Sequence, residues 1–142
     1  MMKALYQRIY TLREMLDIYS RLSAREGSGQ GGAERRELEV HLRDYPTWRR
    51  VRASLSQLVA FECVPEKTAR YVVRRQAGAR FPPVVAVPVD AATRGPAACE
   101  KMGIPYARWD VVEGNHRTFA ARRAGDRVID VFVPCNAEGS LL

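Results

Sequence analysis

The chain has 142 residues, of which 46% are hydrophobic, and its 23 lysines and arginines outnumber 16 aspartates and glutamates to give a net charge of +7. This length and apolar content fit a folded domain with its own core and exclude a disordered chain. A basic balance favours nucleotide, nucleic-acid or anionic-surface partners, although solvated arginines without a partner would give the same total.

The sequence also bears on compartment. No apolar run reaches the roughly 18–20 residues that a membrane span needs. Lys3, Arg8 and Arg13 interrupt the N-terminal apolar pattern, which argues against a secretory signal. The three cysteines are odd in number and have no zinc-type spacing. We therefore expect a cytoplasmic protein without a membrane span or a zinc site.

The first predicted element is a helix over residues 3–23. Apolar residues recur at three- and four-residue spacing, at Leu5, Ile9, Leu12, Met15, Leu16, Tyr19 and Leu22. Such a stripe has to be covered. Its partner is the rest of the chain, a second copy in a homodimer, or another protein; a membrane surface is a weaker alternative, because the polar face carries both signs of charge.

A glycine-rich segment, Glu-Gly-Ser-Gly-Gln-Gly-Gly at residues 26–32, is typical of a flexible linker. A second helix is predicted at about 33–44, and it ends before Pro46 because proline disfavours helix in the preceding residue. These features divide the chain into a helical extension over residues 1–47 and a domain over residues 48–142.

The domain alternates short strands and helices. Strands are predicted at 49–54, 84–89, 106–112 and 128–133, with a helix from Pro65 to about residue 76. A loop with one helical turn after Pro96 is expected at 93–103, and the tail 136–142 is expected to fray. The pattern predicts an α+β fold, a small mixed β-sheet with packed helices.

The candidate anion-binding residues cluster where a predicted strand over residues 109–112 meets the helix that follows. Gly114 permits a tight turn because it lacks a Cβ, and a helix-favouring run begins at Asn115. A helix that starts directly after a strand presents free amides and its positive dipole end, which attract anions. Basic His116 and Arg117 in that first turn are unfavourable by about 0.3–1 kcal/mol each, which a bound polyphosphate would offset. The alternative is a structural corner capped by Asn115.

The segment also resembles the ParB/sulfiredoxin superfamily. The likeness rests on Gly-Asn-His-Arg at 114–117 after a strand, an alanine-rich helix ending in Ala124-Gly125, and an apolar strand at 128–133. It extends upstream through the helix at Pro65 and the Phe-Pro-Pro-Val segment at 81–84, so it covers about residues 50–134. It implies a stand-alone ParB-like nuclease domain protein that hydrolyses nucleoside triphosphate or nucleic-acid phosphodiester bonds, of the plasmid or phage fertility-inhibition type.

The resemblance implies site residues as well. A nucleotide, ATP or CTP with Mg²⁺, would be bound by Gly114, Asn115, His116, Arg117 and Thr118, together with Lys67 and Thr68 on the first helix of the domain. The candidate catalytic carboxylates are Glu113, Glu66 and Glu62, and Glu113 is also the candidate metal ligand. The structural alternatives are an ion pair of Arg117 with Glu113 or Asp110, and a solvated helix face for the residues at 62–68.

The sequence departs from known members of the superfamily at two places, and each departure argues against one activity. Sulfiredoxin has a cysteine nucleophile where this sequence has Asn115, so sulfiredoxin chemistry is not expected. Partition-type ParB proteins have Gly-Glu-Arg-Arg followed by helix-turn-helix and dimerisation domains, which this sequence lacks after the motif, so centromere clamping is not expected. Two further functions stay open: a non-catalytic nucleotide- or DNA-binding module that recruits a protein partner through its N-terminal helix, and a small-molecule kinase.

Overall fold

The computed structural model describes residues 6–25, 31–61, 64–90, 96–103 and 106–142. The helices are α1 (Leu12–Arg25), α2 (Gly31–Leu42), α3 (Pro65–Gln76), α4 (Pro96–Met102) and α5 (Asn115–Arg123). The strands are β1 (Ile9–Thr11), β2 (Thr47–Ser54), β3 (Leu58–Val59), β4 (Val84–Pro88), β5 (Trp109–Glu113) and β6 (Val128–Pro134). They form a mixed sheet with packed helices, which confirms the predicted α+β class.

The chain folds as two compact units, one of Met1–Arg50 with Val133–Leu142 and one of Val51–Phe132. Strands β2 and β6 each contribute residues to both units. The predicted division of the chain at residue 47 stays a prediction. Within the described part of the chain, no helix combines the length and the apolar composition that crossing a membrane requires.

In the first unit, β1 pairs antiparallel with β2, and α1 packs against α2. The core includes Met15, Leu16 and Tyr19 of α1, so the predicted apolar stripe is covered within the chain itself along this helix. The predicted helix over 3–23 is confirmed from Leu12 onward and is wrong at Ile9–Thr11, which form β1.

The reason for this helix start is local. The backbone N–H of Glu14 donates to the Thr11 hydroxyl at 3.1 Å, and the Thr11 N–H donates to the Glu14 carboxylate at 3.2 Å. This reciprocal pair is a capping box, which begins a helix at the residue after the threonine. The predicted linker is described only at Gly31 and Gly32, which begin α2, and Leu5 lies outside the described residues.

The tail that was predicted to fray is ordered by its own turn. The Asn136 side-chain oxygen accepts the N–H groups of Glu138 and Ser140, at 3.0 and 2.9 Å. Cys135 pairs with Leu141, and Arg49 donates to the Gly139 carbonyl at 2.8 Å. The prediction was wrong because the turn-forming Asn136 and the distant Arg49 hold backbone groups that would otherwise be solvated.

In the Val51–Phe132 unit the strands neighbour one another in the order β6, β4, β5, β3. β4 runs antiparallel to β5 and parallel to β6, while β3 runs parallel to β5. Apolar side chains of the central strands are buried, among them Val84, Val85, Ala86 and Val111. α3 and α5 pack against each other. Because β3 and β5 are parallel and lead towards α3 and α5, the two helices begin at the same edge of the sheet.

The smaller predictions fare as follows. The helix at Pro65 and the strands at 84 and 128 are confirmed, and the turn after Pro96 is longer than predicted, because it forms α4. Cys99 and Cys135 are buried thiols, and His41 is exposed on α2. Cys63 lies outside the described residues.

Candidate anion-binding site

The turn between β5 and α5 can be formed only by glycine. Gly114 has φ +95°, and a Cβ at this position would lie 2.6 Å from Cγ1 of Val84 and 2.9 Å from Nη2 of Arg117. Both the backbone conformation and the close approach of Val84 therefore exclude a side chain. This confirms the predicted tight turn, and α5 starts at Asn115 as predicted.

Two helix starts are joined at this turn. The side-chain oxygen of Asn115 accepts the N–H of Phe61 at 3.0 Å, and Nε2 of His116 accepts the N–H of Val64 at 3.1 Å. Val64 is the N-cap residue of α3. A single side chain thus spans from the first turn of α5 to the start of α3, so the positive ends of two helix dipoles converge on one place.

Neither helix start has a side-chain cap. The N-cap residues are Val64 for α3 and Gly114 for α5, and neither provides a capping hydrogen bond. A valine side chain has no acceptor and a glycine has no side chain at all. In α3, Pro65 has no N–H, and the amides of Lys67 and Thr68 donate to the Val64 carbonyl at 3.0 and 3.3 Å, which leaves the Glu66 amide as the first-turn donor for an anion.

Thr68, in the second turn of α3, provides independent evidence for a ligand. Its side chain is completely buried, and its hydroxyl has no hydrogen-bond partner among the described residues. A buried hydroxyl without a partner costs about 1–3 kcal/mol. Because Cα–Cβ bonds in a helix tilt towards its N-terminus, the Thr68 side chain leans towards the start of α3. The observation identifies an unused donor close to the converging helix ends.

Nε2 of His116 accepts the Val64 N–H, so this nitrogen carries no proton in that hydrogen bond. The predicted contact of His116 with phosphate stays a prediction.

Arg117 and Thr118 bond to the protein backbone. Arg117 is 5% exposed, and its Nη1 donates to the carbonyls of Pro82 at 2.8 Å and Pro83 at 3.4 Å. Thr118 is fully buried, and its hydroxyl donates to the Gly114 carbonyl at 2.9 Å. Arg117 thereby fixes the Pro82-Pro83 segment ahead of β4, and Thr118 locks the turn. Their predicted direct contacts with phosphate stay predictions.

The remaining predicted residues differ in exposure. Glu113 and Glu66 are exposed, Lys67 is half-buried, and Glu62 lies outside the described residues. The described residues include no group of three or more histidine, cysteine, aspartate or glutamate side chains placed to hold a metal ion. A Mg²⁺ ion on Glu113 would therefore take further ligands from phosphate oxygens and water, as is usual for this ion.

Sequence reasoning missed two arginines that fix the geometry of this unit. Arg75 of α3 forms a bidentate pair with Asp126 at 2.7 and 2.9 Å, and this bond raises the pKa of the guanidinium. Arg122 of α5 donates to the carbonyls of Leu55 and Leu58 at 2.8 and 2.6 Å, and burial lowers its pKa. Both contacts join residues more than fifty positions apart, so no local pattern reveals them.

Comparison with known proteins returns few relatives. No protein-family model matches the sequence, and no curated protein matches it. One solved structure with a related arrangement is the C-terminally truncated chromosome-partitioning protein ParB from Caulobacter crescentus, complexed with CTP-γ-S. It shares 16% identity at a TM-score of 0.40, and the match covers 63% of this chain and 47% of that one. The chain thus spans just under half of that protein, and a likeness of this size carries no functional argument.

Proposed function

We propose that the chain binds the phosphate groups of a nucleotide where α3 and α5 begin. The observation that carries the proposal is the pair of uncapped helix starts joined by Asn115 and His116, with the buried Thr68 hydroxyl close by and lacking a partner. Converging helix dipoles favour an anion, and a donor in a low-dielectric site strengthens that preference. ATP and CTP are the candidate ligands.

Each residue has a distinct role in this proposal. The first-turn amides of α5 and the Glu66 amide of α3 contact the phosphate oxygens, and Thr68 donates its hydroxyl to one of them. Lys67 contributes charge from the first turn of α3. His116 keeps the two helix starts together through its Nε2. Arg117 acts as a positioning residue through its bonds to Pro82 and Pro83.

The decisive test replaces Thr68 by valine, which keeps the shape and removes the hydroxyl. Valine at Thr68 should stabilise the free protein by about 1–2 kcal/mol, because a buried group without a partner is lost. The same change should weaken nucleotide binding by about 1–2 kcal/mol, because a hydrogen bond to the ligand is lost. Urea unfolding measures the first effect, and calorimetric titration with ATP and CTP measures the second.

Thr118→Val is the matched control. It is also fully buried, but its hydroxyl already bonds to the Gly114 carbonyl. Valine there should destabilise the protein by about 1 kcal/mol. If Thr68→Val binds nucleotide as tightly as the wild type, the proposed site is wrong.

Hydrolysis is the second candidate function. It is favoured by Glu113, whose exposed carboxylate directly precedes the glycine of the turn. A carboxylate in that place can activate water or complete the coordination of a phosphate-bound Mg²⁺.

Glu113→Gln separates turnover from binding. Affinity should hold or improve, because a negative charge beside the phosphates is removed, whereas Mg²⁺-dependent phosphate release should fall about tenfold or more. Release assays with ATP, CTP and an oligonucleotide substrate measure the change, with Glu66→Gln as a comparison carboxylate. Equal rates for the wild type and Glu113→Gln would assign the site to binding alone or to another carboxylate.

A further inference from the structure

The exposed face of α3 carries three cations that form no ion pair among the described residues. Lys67, Arg70 and Arg74 lie within an arc of about 60° over about 10 Å, as helix geometry requires. Among the described residues Lys67 and Arg70 form no ion pair, and the Arg74 guanidinium lies 5.5 Å from the Tyr71 ring. Arg75, one position further round the helix, is neutralised by Asp126. The charge on this face is therefore concentrated in one stripe.

Apolar side chains are exposed beside this stripe. Phe61, Val64 and Val73 have 52%, 44% and 67% of their surface exposed. Phe61 and Val64 lie in the segment that leads into α3, and Val73 lies on α3 next to Arg74 in sequence. An exposed aromatic ring therefore precedes the helix that carries the cations.

The cations of α3 and the exposed aromatic ring together indicate which kind of molecule binds this face. Cations in a row match a phosphate backbone, and an exposed aromatic ring stacks on an unpaired base. In a duplex the bases are already stacked on one another and cannot reach such a ring. Glu66 is exposed on the same face, four positions before Arg70, so it offsets part of the charge.

We propose that this face of α3, together with the Phe61 ring, binds single-stranded nucleic acid. The backbone of the strand follows Lys67, Arg70 and Arg74, and one base stacks on Phe61. The inference goes beyond nucleotide binding, since Arg70, Arg74 and the Phe61 ring have no role in the nucleotide site proposed above. Lys67 is shared by the two proposals, so the tests change Arg70, Arg74 and Phe61 and leave Lys67 intact.

The test measures fluorescence anisotropy of a labelled single-stranded oligothymidine of about 15 nucleotides with the full chain. Removing two cations in the double variant R70A/R74A should weaken binding about tenfold or more. It should also flatten the dependence of log affinity on log salt by about 1.4, because each contact to a single strand contributes about 0.7. Phe61→Ala should cost about fivefold or more, and Phe61→Leu less, because leucine keeps apolar area without a ring.

Controls distinguish a site from general charge. Arg108 is an exposed arginine at the start of β5, whereas the turn lies at its end, and R108A should leave the affinity within about twofold. Phe61 variants keep the backbone N–H that Asn115 accepts. Glu66→Gln should strengthen binding, a gain that misfolding cannot produce. ATP and CTP titration of R70A/R74A should match the wild type, which separates this inference from the nucleotide site.

Three results would overturn the inference. The first is wild-type oligonucleotide affinity in R70A/R74A, with folding verified by thermal unfolding. The second is an equal loss in R108A, which would indicate non-specific charge. The third is tighter binding of a duplex of the same length with no effect of Phe61→Ala, which would assign the face to double-stranded DNA.

Discussion

The backbone N–H groups at a helix start need acceptors. The start of α1 has a side-chain cap for these groups, whereas the starts of α3 and α5 have none. At α1 the Thr11 hydroxyl and the Glu14 carboxylate accept each other's backbone N–H groups. At α3 and α5 the N-cap residues are Val64 and Gly114, and neither offers a side-chain acceptor. A capping side chain stabilises a helix by about 0.5–2 kcal/mol relative to alanine, whereas glycine at the N-cap costs only a few tenths, so the omission is costly chiefly at Val64.

The polar side chains near those two starts are used differently. Asn115 and His116 are the first two residues of α5, and their side chains accept the amides of Phe61 and Val64. They hold the two helix starts together without occupying the position that an anion would take. A sequence that breaks a local rule at one place commonly does so at a functional site. The difference from α1 is therefore the strongest reason to look for a ligand here.

The largest effect is expected from a side chain at Gly114. Gly114→Ala forces a Cβ to within 2.6 Å of Val84 Cγ1 at a strained φ. Strain and overpacking together should destabilise the protein by about 2–5 kcal/mol and abolish nucleotide binding. Urea unfolding and calorimetric titration measure the two effects.

Gly125→Ala tests whether positive φ alone is responsible. Gly125 has φ +90°, but a Cβ there meets no atom within 4 Å. Alanine at this position should cost about 1 kcal/mol, the effect of backbone strain without a clash. Equal losses for the two variants would show that the approach of Val84 does not matter, and the turn would then be an ordinary helix start.

Much of the second unit could be predicted from local signals. Pro65 indicated the start of α3, Gly114 indicated the turn, and the valines at 84 and 85 indicated a buried strand. Each signal acts through the residue's own backbone or side chain, with no reference to a distant partner. The predicted ligand set combined neighbours of the turn with Lys67 and Thr68, which the resemblance implied, and the structure brings Thr68 and His116 to the same edge of the sheet.

The rest could not be predicted for two reasons. Ile9 fits the spacing of the apolar helix stripe, so periodicity alone extends the predicted helix through β1. The capping-box spacing of Thr11 and Glu14 indicates the later start that the structure has. The bonds of Asn115 and His116 to the segment ahead of α3 join residues more than fifty positions apart. Burial of the Thr68 hydroxyl without a partner also depends on packing, and residue type does not reveal it.

The smallest effect is expected from removing the charge of Glu14, which caps the start of α1. The N–H of Thr11 and the charge of Arg8 lower the pKa of Glu14 from its ordinary value of 4.5. A carboxyl with a lowered pKa in the folded state stabilises the protein above its unfolded pKa and loses that contribution as the pH falls through the folded value. Glutamine also forms a capping box, so Glu14→Gln isolates the charge. The variant should melt slightly below the wild type at pH 7, and the difference should shrink at about pH 3.

The nucleotide affinity of Glu14→Gln also tests the contrast between the capped start of α1 and the uncapped starts of α3 and α5. The capping box satisfies the amides of α1 within the protein, so Glu14→Gln should leave ATP and CTP affinity unchanged while it lowers the melting temperature at pH 7. Charge at the capped start would then act on stability alone, in contrast to Glu113 beside the uncapped start of α5. A melting difference that is the same at pH 7 and pH 3 would show that the Glu14 charge contributes nothing. A change in nucleotide affinity would show that the α1 start is coupled to the site, and the contrast between capped and uncapped helices would fail.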